Sequence, residues 1–219
     1  MATAQQVASF RSNNLDLVEL ARNDLSSFWG ALNLAGNPAL VRDALLEFFP
    51  ELIAAYGDAA ALLAADFYDE LRDVPPSSAR YRAVLAAPPA AEQAEGAARW
   101  AVGPLFADEP KPAQALAALA GATQRLVLQS GRETVFRSAS TDPVPTGFAR
   151  VPAGATCAFC TMLASRGFVY ATAAAAGESN SWHDDCNCTI LPGRSIDDLP
   201  EGYDLSRYER AYAAGVGID

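Results

Sequence analysis

The chain has a single histidine, four cysteines and two methionines in 219 residues, and only 16 basic side chains against 26 acidic ones. A formal charge of −10 excludes a surface-wide attraction to phosphate backbones, so strong nucleic-acid binding is not expected. Residues 1–14 are polar and hold no basic segment followed by an apolar core, which is not the pattern of a secretion signal. Alanine-rich stretches such as 59–65 are broken by charge well short of the roughly 18 residues that a membrane span requires. No internal repeat is visible. These absences predict a soluble protein in a reducing cytoplasm, with no membrane partner.

What is present is apolar and helical in period. Hydrophobic residues make up 51% of the chain, enough for one sizeable core or for a helical body with a small appended module. Val18, Ala21, Leu25, Phe28, Trp29 and Leu32 recur at helical steps from Leu15, with Ser12, Asn13 and Asn14 as caps. Asn37-Pro38 opens a second helix with Val41, Leu45 and Phe49 inward, which Pro50 ends or kinks. A further helix over 51–72 is closed by Pro75-Pro76, a short one is predicted over 78–86 and another over 90–106. The longest, over 113–137, leads into the cysteine region.

A β-type signal rises only between Gly147 and Leu191, where 168–170 and 189–191 read as short strands. The expected fold is mainly α: a helical body over 1–143, a small α+β zinc-knuckle module over 144–193, and a tail over 194–219 that includes a short docked helix. Asp142-Pro143-Val144-Pro145 is the expected hinge. Trp29 and Trp100 are predicted to pack in or at the edge of the core.

All four cysteines and the histidine fall in one window, as Cys157-x2-Cys160 and His183-x2-Cys186-x-Cys188. Thiolate and imidazole are the ligands that zinc prefers, and two close pairs joined by a loop can surround one tetrahedral ion. The expected ligands are Cys157, Cys160 and His183 with either Cys186 or Cys188, the spare thiol packing in the core or replacing the histidine. Four protein donors leave no open position, so the predicted ion is structural Zn²⁺, contributing folding energy to a module too small to hold itself together. Trp182, Asp184 and Asp185 flank the histidine and are expected to support the ligands, Trp182 by keeping water away.

Two other chemistries are open to the same residues. The even cysteine count permits disulfides, although a reducing compartment disfavours them. Alternatively Cys157 or Cys160 is a nucleophile, with His183 as its base and Asp184 or Asp185 orienting the ring.

The stretch from Arg150 through Cys157 and Cys160, the segment Met162 to Gly167, and His183-Asp-Asp-Cys-Asn-Cys-Thr-Ile-Leu-Pro192 resemble the C-terminal signature of phage Mu-type minor head proteins. In that head-morphogenesis family a Cys-x2-Cys element precedes a His-x2-Cys-x-Cys-Thr segment ending near a proline. The form seen here is similar to minor capsid proteins of tailed phages of actinobacteria, as is the approach over 124–132. The likeness covers about a third of the chain, over 119–193, and departs from the commoner form at Asp184-Asp185.

The resemblance implies a head-assembly protein that associates with the portal protein, capsid or scaffold proteins. Its expected location is the host cytoplasm during assembly and then the virion. Some relatives carry the label of capsid maturation protease, which makes a cysteine or zinc-dependent peptidase the competing function; no Ser-His-Asp arrangement is legible. In the tail, Tyr203, Tyr208 and Tyr212 place a tyrosine face on a helix from Ser206, either docked on the body or free to bind a portal or capsid partner.

Overall fold

The computed structural model describes residues 2–72, 80–144, 146–154, 156–168, 182–186, 188–200 and 202–218. Six α-helices and one two-stranded sheet stand among these residues. Helix α1 (Ala4–Ala31) opens on a capping box: the Gln6 N–H donates to Thr3 Oγ1 at 3.1 Å, and the Thr3 N–H donates to Gln6 Oε1 at 2.9 Å. The helix thus starts well before Leu15. Ser12, Asn13 and Asn14 lie inside it and cap nothing. Val7 is buried, and Phe10 stacks on Phe67 at 4.1 Å, which holds the extra turns against the next helix.

Helix α2 (Pro38–Leu71) starts where predicted, with Asn37 Oδ1 accepting the Ala39 N–H at 2.9 Å. It does not stop at Pro50. An interior proline forfeits one hydrogen bond and costs about 3 kcal/mol, but Leu45, Phe49, Leu52 and Ile53 are all buried around it, and their packing carries the helix through. An 18-residue window of α2 reaches a mean hydropathy of 1.3, so by length and composition it is apolar enough to cross a membrane; 39% of that window is buried here. Its apolar side packs on the other helices.

Helix α3 (Ala91–Ala101) runs into a single 3₁₀ turn at Gly103–Phe106, and α4 (Pro112–Thr141) crosses the molecule behind α2. The first core joins α1 to α4 through Leu25, Trp29, Leu45, Phe49, Ile53, Leu119 and Leu126. Trp100 stays out of it, 72% exposed on the outer face of α3, because Ala94, Ala98 and Ala101 take the inner face. Helices α2 and α4 approach closely at their glycines. A Cβ on Gly131 would lie 2.9 Å from the Ala60 carbonyl oxygen.

The helix predicted over 78–86 is absent from its described part. Residues 80–90 form an extended strap whose N–H groups bond to side chains instead of to a helical ladder: Ala83 to Asp69 Oδ1, Val84 to Ser138 Oγ and Ala86 to Thr134 Oγ1. Those partners satisfy the backbone as a helix would. The predicted terminator Pro75-Pro76 lies outside the described residues, as does Pro145.

Beyond α4, strand β1 (Gly147–Val151) pairs antiparallel with β2 (Thr189–Gly193), Val151 opposite Thr189 and Gly147 opposite Gly193. The predicted strand at 189–191 is thus present. Of the one predicted at 168–170, Phe168 lies in a turn and 169–170 are outside the described residues. Helix α5 (Ala158–Ala164) follows β1, and α6 (Leu205–Ala213) closes the chain. Tyr203 stacks on Tyr208 and its hydroxyl donates to the Ala164 carbonyl at 2.8 Å, while Ile218 and Thr156 exchange two backbone hydrogen bonds. These contacts dock α6 against α5.

Candidate metal centre

Local chemistry sets each thiol. Cys157 is the N-cap of α5, its Sγ accepting the Cys160 N–H at 3.4 Å, so the Cys-x2-Cys spacing puts Cys157 at the helix start and Cys160 one turn in. The second pair rides on a tight turn in which the Cys186 N–H donates to the His183 carbonyl. Asp185 reverses this turn at φ 61°, a left-handed conformation that aspartate tolerates better than most side chains. Strand β2 begins at the residue after Cys188 and anchors it against α4.

The five predicted donors converge. Cys157, Cys160 and His183 place their donor atoms within 4.8 Å of one another, as do Cys160, Cys186 and Cys188. Cys160 belongs to both triads. Its Sγ lies 3.8 Å from Cys186 Sγ and 3.8 Å from His183 Nε2, and Cys157 Sγ lies 3.3 Å from His183 Nε2. Zinc–sulfur bonds of about 2.3 Å give a tetrahedral edge of about 3.8 Å between two sulfurs, so the spacing suits that ion. All four cysteines are free thiols, and sulfurs 3.8 Å apart are not a disulfide, whose length is about 2.05 Å.

The histidine is oriented for ligation. Its Nδ1 lies 2.7 Å from the Asp184 carbonyl oxygen, an acceptor, so Nδ1 carries the proton and Nε2 keeps its lone pair toward the two sulfurs. Ligating imidazoles are commonly held by such a backbone carbonyl. That carbonyl also raises the pKa of His183, with the negative charge of Cys186 and Cys157 adding to it.

The thiols differ sharply in acidity. Burial works against the Cys157 thiolate, but the Cys160 N–H and His183 outweigh it and hold its pKa below the usual thiol range. Among the buried trio, the thiolate charge settles on Cys186, which takes hydrogen bonds from Cys160 and Cys188 and faces Arg132. Cys160 is pushed up by its hydrogen bonds to Cys186 and Cys188 and by burial. Cys188 is pushed up to about 12, hydrogen bonding to Cys186 and burial outweighing its contact with Cys160.

The flanking residues differ in what they touch. Trp182 is buried in the apolar cluster that contains Cys160, Cys186 and Cys188. Asp184 accepts from Arg125 Nε at 2.7 Å, and Asp185 accepts from Arg22 at 2.6 Å, tying the turn to α4 and α1. Sequence reasoning missed Arg132 and Arg150, whose guanidinium carbons lie 3.7 and 3.4 Å from the Trp182 ring centroid. Both fall inside the segments that carry the family likeness, but nothing local marks them as buried. A cavity of about 110 Å³ beside the cluster is lined by Phe10, Arg11, Leu128, Arg132, Cys188 and Ile190 among others, and by neither Cys157 nor His183.

A model of the VG15 protein family matches residues 1–215. The Gene 15 protein of Mycobacterium phage L5 is 29% identical, over 71% of this chain and 66% of its own length. The Gene 15 protein of Mycobacterium phage D29 is 30% identical, over 71% of this chain and 68% of its own. The chain thus spans about two thirds of the length of these curated relatives. No solved structure matches it.

Proposed function

The chain belongs to the VG15 protein family and is similar to Gene 15 proteins of two mycobacteriophages, and on that premise we propose that it is a minor capsid or head-morphogenesis protein of a tailed phage, stapled by one structural zinc ion. The observation that carries the metal half is the meeting of two donor triads at Cys160, with His183 Nε2 aimed at sulfur while Nδ1 is spoken for by the Asp184 carbonyl. Cys157, Cys160 and His183 would hold the ion with Cys186 or Cys188. A zinc ion held by these residues would tie α5 to the 183–186 turn, and its binding energy would become folding energy for this end of the chain.

The head-assembly half is supported by the phage family and by the likeness of 150–192 to the minor head signature. In this reading the protein works in the host cytoplasm during assembly, contacts the portal, capsid or scaffold proteins, and enters the virion. Metal analysis of tag-free protein tests the first half: one tightly held zinc per chain, whose removal unfolds residues 144–193. Co-purification with a portal ring tests the second.

One observation favours a second reading, a capsid maturation peptidase. Cys157 is exposed, has a depressed pKa and lies 3.3 Å from an imidazole whose far nitrogen is fixed by a carbonyl, as a nucleophile–base pair requires. Metal-free protein whose cleavage of capsid protein stops on Cys157→Ala would establish it. Zinc that blocks alkylation of Cys157 would end it.

A further inference from the structure

Arg132 is a buried cation, 5% exposed, and among the described residues it has no carboxylate partner. One Nη2 hydrogen-bonds to the carbonyls of Cys186 at 2.7 Å and Cys188 at 3.3 Å, while Nη1, also buried, has no partner among the described residues. Its guanidinium lies against one face of Trp182. Arg150 must cover the other, since two guanidiniums within 3.7 Å of one ring centroid cannot share a face.

Stacking on an indole offsets only part of the cost of burying a guanidinium, and a second cation beside it adds repulsion. An anion nearby offsets that cost, and the two carbonyls that Nη2 bonds belong to Cys186 and Cys188, which brings the guanidinium up against the cluster they form with Cys160. Neutral thiols supply no charge. Three thiolates and an imidazole around a divalent cation leave one net negative charge, and four thiolates leave two.

We propose that Arg132, stacked with Trp182 and Arg150, is a positioning residue for the metal: it is the fixed counter-charge of a net-anionic centre, so the site takes its cation through at least three thiolates. The same Nη2 bonds to the two cysteine carbonyls hold the 186–188 segment so that its sulfurs face Cys160. This rests on the metal reading above, and it adds which kind of complex the site selects.

The test uses the full chain under reducing conditions with Co²⁺ and Zn²⁺ as probes. The Co²⁺ complex of the unaltered protein should show sulfur-to-metal charge-transfer intensity for three or four thiolates; intensity for two or fewer overturns the proposal without any variant. Arg132→Met should bind Zn²⁺ about 10- to 100-fold more weakly, the range for losing an outer-shell partner. Its pH of half-loading should move upward, since thiolates lose the nearby cation. Arg132→Lys should restore most of the affinity and the pH profile. Arg132→Met within twofold of the unaltered protein, or Arg132→Lys falling as far as Arg132→Met, overturns it. Should Arg132→Met not fold, the cobalt spectrum and Arg132→Lys decide. Failure of the unaltered protein to bind either ion removes the metal reading itself, a result distinct from loss of the arginine effect alone.

Discussion

Arg72 clasps Asp142 with two hydrogen bonds, Nε to Oδ2 at 2.5 Å and Nη2 to Oδ1 at 2.9 Å, and so ties the end of α2 to the end of α4 where the helices give way to β1. The Tyr68 hydroxyl donates to the same carboxylate at 3.1 Å, and the Val144 N–H caps it at 2.8 Å. The segment read from sequence as a hinge therefore begins at a buried anchor.

That anchor makes the fold acid-sensitive. Burial raises the Asp142 pKa, but Arg72, Val144 and Tyr68 overcome it and hold the carboxyl below its usual range. Its contribution is complete above the ordinary aspartate pKa of about 3.9 and is lost as pH falls through the lower folded value. Urea midpoints measured from pH 6 downward should fall more steeply for the unaltered protein than for Asp142→Asn. Arg72→Met, which leaves a buried carboxylate unpaired, should cost about 3 kcal/mol at neutral pH.

The shared position of Cys160 separates it from the other donors. Cys160→Ser should abolish stoichiometric zinc, whichever fourth ligand the site uses, because both triads lose a corner. Cys186→Ser is expected to do the same, since its sulfur lies 3.8 Å from Cys160 and its charge acts on His183. Cys188 instead lines the neighbouring cavity, so Cys188→Ser should keep the metal and lose only stability. Metal content of the three variants reads this directly.

Helix approach gives a paired prediction at glycine. Gly131→Ala places a methyl 2.9 Å from the Ala60 carbonyl oxygen and should destabilise by about 1–3 kcal/mol, as overpacking does. Gly96→Ala, on the exposed face of α3 with nothing within 4 Å, should stabilise by about 0.5–1 kcal/mol through helix propensity. Thermal melts of the two should move in opposite directions.

The strap depends on two hydroxyls of α4. Thr134→Val removes the acceptor of the buried Ala86 N–H, and Ser138→Ala removes that of Val84. Each should cost about 1–3 kcal/mol if the donor stays unsatisfied. Amide exchange should accelerate at 84–86 before it does in α2 or α4.

Helical character was legible because it is written in local spacing. Val41, Leu45 and Phe49 recur at steps of four, and Asn37-Pro38 starts α2 where those residues say it should. The errors fall where tertiary packing overrides local rules. Pro50 sits inside one long helix because its neighbours are buried, and 80–90 is extended because α2 and α4 supply its hydrogen bonds from a distance in sequence. Trp100 shows the converse: a large apolar side chain left outside because three alanines fill the inner face.

Amino-acid order alone determined the helical class and the identity of five metal-type donors, since periodicity and ligand chemistry are properties of residue type and spacing. Their convergence at Cys160 and the burial of Arg132 and Arg150 against Trp182 were decided only in three dimensions. A donor's neighbours come from α4, β1 and α5 at once, and the electrostatic environment that makes a thiol or a guanidinium useful is set by those packed elements, which no local window of sequence contains.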